Sequence, residues 1–255
     1  MDFPFLELQE MKVLDHVLAF VICVVAPFIA FSSQKIPMEN LTFDAREKIH
    51  LYHSNALFLL ITGLVVITVW RVTDKTLGSL GFEWPIWHES VGWLFGLVAF
   101  FYSLDVFFQF GLKKWRTKAL SKSNQALAFI PSGGREFLHF MTLALAAGIG
   151  EEIIFRGFLI QYIVFWVGND STGFIFGAIF SSAIFAFLHG YQGTKSIFKI
   201  FFLSLVLAAI FIVTHSLIYV MVIHAMIDII SGGLNAYFLS AEAKSKLKDD
   251  VHNHQ

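Results

Sequence analysis

The chain has 255 residues, 56% of them hydrophobic and only 15% charged, with a mean hydropathy of +0.69. A soluble domain carries about 25% charge, so these residues cannot cover a water-facing surface, and the composition predicts an integral membrane protein. The net charge of −1 excludes the clustered basic surface that nucleic acid requires. The single cysteine, Cys23, excludes an internal disulfide and reads as a packing residue.

The chain opens on Asp2, Glu7, Glu10 and Asp15 against Lys12, the reverse of a basic leader. The apolar run Val17–Phe31 is therefore expected to be a retained first span. Further runs follow at Asn55–Trp70, Val91–Leu112, Phe137–Trp166, Phe174–His189, Ile197–Val213 and Ser216–Leu239. The expected fold is all-α, a polytopic transmembrane helix bundle of about seven spans, or eight if the basic stretch Lys113–Gly134 hides another. Against a hydrocarbon core of ~30 Å and 1.5 Å per residue, the first run is short and the fourth long.

The stretch Thr76–Pro85, with its glycines and proline, predicts a surface loop. A short interfacial helix is expected around Lys118–Ile130. From Ser240 the sequence turns polar, which predicts a frayed cytoplasmic tail over 240–255. No internal repeat is visible, so 1–255 reads as one membrane domain.

Loop charges orient this bundle. Most lysines and arginines fall in the loops after spans one, three and five and in the tail, whereas the N-terminus and the loops after spans two and four carry only Lys12, Arg71 and Lys75. The excess of positive charge on cytoplasmic loops then places the N-terminus outside and the C-terminus in the cytoplasm, given seven spans. A prokaryotic plasma membrane is the expected setting.

One apolar run carries charges that lipid does not tolerate. Gly150-Glu151-Glu152-Ile153-Ile154-Phe155-Arg156-Gly157 places two acids and an arginine where each costs roughly 2.5–3.5 kcal/mol at a membrane helix centre. Together they represent roughly 8–10 kcal/mol before pairing, and such a cluster marks a site. Glu152 and Arg156 are spaced i,i+4 and share a helix face, so they can pair. Glu151 points about 100° away and is free to face another helix.

Two later spans add His189, ending Phe185-Ala186-Phe187-Leu188-His189, and the i,i+4 pair His224 and Asp228. Counted from the short turn between spans four and five, Glu151 and His189 both lie roughly 22 Å deep, in the cytoplasmic third of the membrane. His224 counts to only roughly 12 Å from its own turn, a mismatch that shrinks if Thr214–Ser216 is sunk. Taken singly, each element has an ordinary explanation: a structural ion pair, a capping histidine, a hydrogen-bonded core pair. His16, His139, His215, Asp105, His252 and His254 read as boundary or surface residues.

Three motifs in this order, Glu151-Glu152-x-x-x-Arg156, Phe185-x-x-x-His189 and His224-x-x-x-Asp228, resemble the CPBP intramembrane protease family, also called the CAAX protease and bacteriocin-processing or Abi family. The resemblance covers 137–233, which would be the catalytic core. It implies an endopeptidase in which Glu151 and His189 hold and deprotonate a water, with His224 and Asp228 orienting it or stabilising the oxyanion. Glu152 and Arg156 would then be an orienting pair. Type II CAAX prenyl endopeptidases in this family remove three residues after a prenylated cysteine, while bacterial members are linked to bacteriocin processing or self-immunity. The expected partners are the bilayer and a peptide or membrane-protein substrate, lipidated or not.

Cofactor use stays open. Two histidines and one or two carboxylates suit Zn2+ with an open position, yet HExxH is absent, and the family is described both as metalloproteases and as metal-independent glutamate proteases. Two other functions compete: a proton-coupled carrier, since membrane Glu, His and Asp also form proton relays, and a non-catalytic scaffold. A carrier would show two repeated halves, which are not visible.

Overall fold

The computed structural model describes residues 9–33, 43–84, 89–112, 114–117 and 130–253. Most of the expected interfacial helix around Lys118–Ile130 lies outside the described residues. Eight helices carry the architecture: α1 (Val13–Ser32), α2 (Ala45–Val72), α3 (Val91–Gly111), α4 (Gly134–Glu152), α5 (Ile160–Val167), α6 (Ser171–Leu188), α7 (Thr194–Thr214) and α8 (Leu217–Asn253). All but α4 and α5 are long and apolar enough to cross a bilayer, or contain a stretch that is. Among the described residues the only β pairing is one isolated bridge, Phe82 to Ser216. The molecule is a polytopic helical bundle whose outer face exposes Leu57, Phe58, Ile61, Phe176, Phe180, Phe198 and Phe202. Lipid accepts such a face because helices satisfy their backbone polar groups internally.

The fourth expected span is helical from Gly134 to Val167 but changes character in its middle. A π-helical turn, Ile153–Leu159, joins α4 to α5, and every residue from Glu152 to Gln161 is buried. Protein rather than lipid surrounds the charged motif, which is how the chain carries its cost. A wide π turn inserted in an α-helix rotates the downstream face, and such turns concentrate at functional sites. α4 packs on α2 and α8, while α6 packs on α5 and α7.

Close backbone approach makes this possible. A Cβ on Gly148 would stand 2.8 Å from the carbonyl oxygen of Met221 in α8, and one on Gly150 would stand 2.5 Å from the carbonyl oxygen of Leu59 in α2. Small residues at such crossings let membrane helices pack backbone to backbone.

Two expectations are corrected. Thr76–Pro85 is a surface loop only in part: over its described residues Thr76, Leu77, Glu83 and Trp84 are exposed, while Leu80 and Gly81 are buried. Leu77–Leu80 forms a helical turn, Leu80 is fully buried, and the Leu217 N–H donates to the Gly81 carbonyl at 2.8 Å. Ser216 is fully buried, with its hydroxyl on the Glu83 carbonyl at 3.0 Å. The tight turn between α7 and α8, with His215 left-handed at φ 50, therefore sits beneath a plug supplied by the chain after α2. His215 is correspondingly buried rather than superficial. The tail is not frayed: α8 continues through it to Asn253.

Behind the plug is an ion pair that the sequence did not announce. Asp15 and Lys75 meet at 2.5 Å, both buried, and Thr73 accepts from Lys75 at 2.7 Å. The Lys75 ammonium also lies 4.8 Å from the Trp70 ring centroid. Lys12 and Asp74 pair beside them at 2.5 Å in solvent. There each holds the other charged, the lysine pKa raised and the aspartate pKa lowered by their mutual hydrogen bond. These contacts fix the start of α1 and the end of α2 on one side of the bundle, together with the α5–α6 and α7–α8 turns.

Candidate functional site

Three helices deliver the six candidate residues. Glu151 and Glu152 end α4, with Arg156 in the π turn. His189 caps the end of α6, opposite the α7–α8 turn. His224 and Asp228 lie one turn apart on α8.

Glu152 and Arg156 pair as their spacing predicts, Nη1 donating to Oε1 at 2.9 Å with both side chains fully buried. Arg156 turns its Nη2 to Ser204 on α7, donating to the hydroxyl at 2.9 Å and the carbonyl at 3.2 Å. Its guanidinium lies 5.0 Å from the Phe185 ring centroid. A buried pair survives only with further hydrogen bonds and packing; Ser204 and Phe185 supply part of these, while Glu152 Oε2 and Arg156 Nε have no hydrogen-bond partner among the described residues.

His224 links this pair to the open side of the site. Its Nδ1 donates to Glu152 Oε1 at 2.6 Å. Its Nε2 faces Glu151 Oε2 and Asp228 Oδ2, each at 3.6 Å. Side-chain exposure rises along this line, from 0% at Glu152 and Arg156 to 11% at His224, 14% at Glu151 and 35% at Asp228. At 3.6 Å these edges are just beyond direct hydrogen-bonding distance and interact as neighbouring charged and polar groups. The buried Ser216 turn accounts for the depth of His224: α8 starts below the surface, so eight residues suffice to bring it level with Glu152.

His189 approaches from α6. A carbonyl only accepts, so the 2.8 Å contact with the Phe185 carbonyl places a proton on His189 Nδ1 and leaves Nε2 free of that contact. The ring packs on Phe185 at 4.5 Å and on Tyr191 at 6.1 Å between centroids. Among the described residues no hydrogen bond or ion pair joins His189 to Glu151; the carboxylate's neighbour is His224. Phe185 thus touches Arg156, His189 and His224, with its centroid 6.0 Å from the last. This explains an aromatic residue one turn before the histidine.

Ser204 and Tyr191 are absent from the sequence reading. Ser204 is one serine in an apolar helix, with no spacing that would mark it. Tyr191 follows His189 in a short 3-10 turn and shares its space with Glu151 and Asp228; burial pushes its phenol up to about 12.

No three His, Cys, Asp or Glu side chains converge as a metal-holding group among the described residues. His224 commits Nδ1 to Glu152, which leaves one nitrogen on each histidine. The chemistry proposed for this arrangement passes through no metal.

Residues 133–230 match the family model described as type II CAAX prenyl endopeptidase Rce1-like, the family that the three motifs resemble. The matched stretch contains all six candidate residues and ends just past Asp228. No curated protein and no solved structure matches the chain.

Proposed function

We propose that the chain is an intramembrane endopeptidase of the CAAX prenyl protease type, hydrolysing its peptide bond with water activated by Glu151 and His189. The carrying observation is the graded burial across His224: Glu152 and Arg156 are sealed in protein, whereas Glu151 and Asp228 are partly exposed. The sealed pair holds and the open groups react.

In this reading a water beside Glu151 loses its proton to the carboxylate as its oxygen attacks the scissile carbonyl. His189, anchored through Nδ1 to the Phe185 carbonyl, accepts a hydrogen bond from the same water at Nε2 and fixes its direction. The negative charge that grows on the carbonyl oxygen needs a donor in place beforehand. Protonated His224, anchored through Nδ1 to Glu152, offers Nε2–H, with Asp228 holding it in register. Glu151 then returns the proton to the departing amine, which closes the cycle without net charge transfer.

The substrate is proposed to be a peptide or membrane-protein segment, and the match to the prenyl endopeptidase family favours one ending in a prenylated cysteine and three further residues. Purified protein should cleave a quenched peptide of that form faster than its unprenylated counterpart, and Glu151→Gln should cleave neither. Equal rates on both would keep the peptidase and remove the prenyl preference. Absence of cleavage on a broad peptide panel would remove the peptidase and return the proton-coupled carrier to consideration.

A further inference from the structure

Away from the Glu-His site, the N-terminal ends of α2 and α4 enclose a cavity of about 530 Å³. It is lined by Arg46, His50, Arg135, His139, Ile49 and Asp44, among others. Neither guanidinium has a hydrogen-bond or ion-pair partner among the described residues. The one acid is occupied: Asp44 Oδ1 caps α2 by accepting from the N–H groups of Arg46 at 2.7 Å and Glu47 at 2.8 Å. The cavity thus presents two permanent cations and two imidazoles to an anion, and among the described residues no acid pairs with either guanidinium.

Below the cavity the surface changes to hydrocarbon. On α4, Leu138, Leu145 and Ile149 are exposed and share a face with Thr142, three and four residues apart. On α2 the matching exposed residues are Leu57, Ile61 and Leu64. His53 ties the two faces together, 3.0 Å from His139 and 3.4 Å from Thr142. A groove with two arginines at its mouth and branched apolar side chains along its length is complementary to a molecule with an anionic head and a hydrocarbon body. Basic pockets between transmembrane helices bind phosphate-bearing lipid headgroups on this principle, and arginine grips phosphate through paired N–H donors.

We propose that this cavity is a binding site for the phosphate headgroup of an acidic phospholipid, whose acyl chains lie along the α2–α4 face. The site neither includes nor requires any residue of the peptidase reading. Full-length protein in detergent, titrated with phosphatidylglycerol or phosphatidylcholine of identical chains and read by native mass spectrometry, tests it. Phosphatidylglycerol should bind roughly tenfold tighter or more. Arg46→Gln with Arg135→Gln should abolish that difference. Arg46→Lys with Arg135→Lys should keep most of it, and it serves as the test if the glutamine variant does not fold. Lys195→Gln, also exposed, should change nothing. Equal binding of the two lipids, or an undiminished preference in the glutamine variant, overturns the proposal. Displacement of the lipid by an equal concentration of inorganic phosphate overturns it too, since the site would then read a free anion.

Discussion

Nδ1 of His224 lies 2.6 Å from Oε1 of Glu152, the same oxygen that accepts from Arg156. One carboxylate oxygen therefore receives both an imidazole from α8 and a guanidinium from the π turn, and the guanidinium continues to Ser204 on α7. Three helices are held in register by one buried acid. The chemistry proposed for Glu151 depends on that register, because it meets the opposite edge of the same imidazole.

The first prediction concerns this clamp. Removing one partner of a buried pair leaves an uncompensated charge and costs about 3–5 kcal/mol. Arg156→Ala should destabilise by that order. Glu152→Gln with Arg156→Met should recover part of it, though not all, because His224 and Ser204 each lose a partner as well. A thermal-unfolding series in which the single and double variants melt alike would remove the pairing argument.

Glu151 and His189 should behave differently, because neither is fully buried or shares the clamp. Glu151→Gln and His189→Ala should each abolish cleavage while leaving the melting temperature nearly unchanged. Substantial activity in either purified variant would refute its role in activating water.

His224 should combine the two behaviours. His224→Ala leaves Glu152 Oε1 with Arg156 alone, at about 1–3 kcal/mol for the lost buried hydrogen bond, and removes the proposed oxyanion donor. His224→Gln can still donate to Glu152 and should regain stability without regaining turnover. If both variants cleave at the wild-type rate, His224 is structural only.

Much of the site was legible in the sequence, because its groups are of the kinds that lipid expels. Glu151, Glu152 and Arg156 stand out by transfer energy, and the i,i+4 spacing of Glu152 with Arg156 is a helix property readable in one dimension. Ser204 was not legible: it matters only because α7 crosses the π turn, a contact 48 residues away in sequence. The pair Asp15 and Lys75 was missed likewise, each looking like an ordinary loop charge until α1 and the end of α2 meet. The span pattern followed from apolar run length, while the burial of Leu80 and Gly81 did not, since glycine marks a break in regular structure and not its depth. The uneven depth count for His224 was the one trace of that plug in the sequence.

The plug gives a prediction remote from the site. Leu80 is fully buried beside Gly157 and Leu217, and truncating such a leucine costs about 2–5 kcal/mol. If the plug sets the depth of α8, Leu80→Ala should also reduce turnover, although it touches no candidate residue. Stability lost with turnover intact at a temperature where the variant is folded would separate the plug from the site.

Gly148 tests how tightly α4 and α8 must meet. A methyl there would face the Met221 carbonyl oxygen and the Ala225 amide nitrogen within 2.9 Å, and backbone cannot yield as a flexible side chain would. Gly148→Ala should push the helices apart beside Glu151 and Glu152, costing about 1–3 kcal/mol as overpacking does, with a further loss of turnover as His224 withdraws. A variant as stable and active as wild type would mean that the crossing is looser than this contact implies.

The last prediction sets the direction of substrate entry. The α6–α7 turn, which follows His189, and the α5–α6 turn lie on opposite sides of the bundle, because α6 runs between them. In the orientation expected from the loop charges the first is cytoplasmic, and the site is expected to open toward it, since Asp228, the most exposed of its three carboxylates, lies further along α8 from the buried Ser216 turn than His224 does. In a Cys23→Ser background, Lys195→Cys should resist an impermeant thiol reagent in intact cells. Asn169→Cys, beside the Asp170 cap of α6, should label. Both positions are exposed, so access through the membrane rather than burial decides the result. Lys118, which carries the same expectation, lies outside the described residues. Labelling of Lys195→Cys with protection of Asn169→Cys would invert the bundle and require substrates to present their scissile bonds from outside.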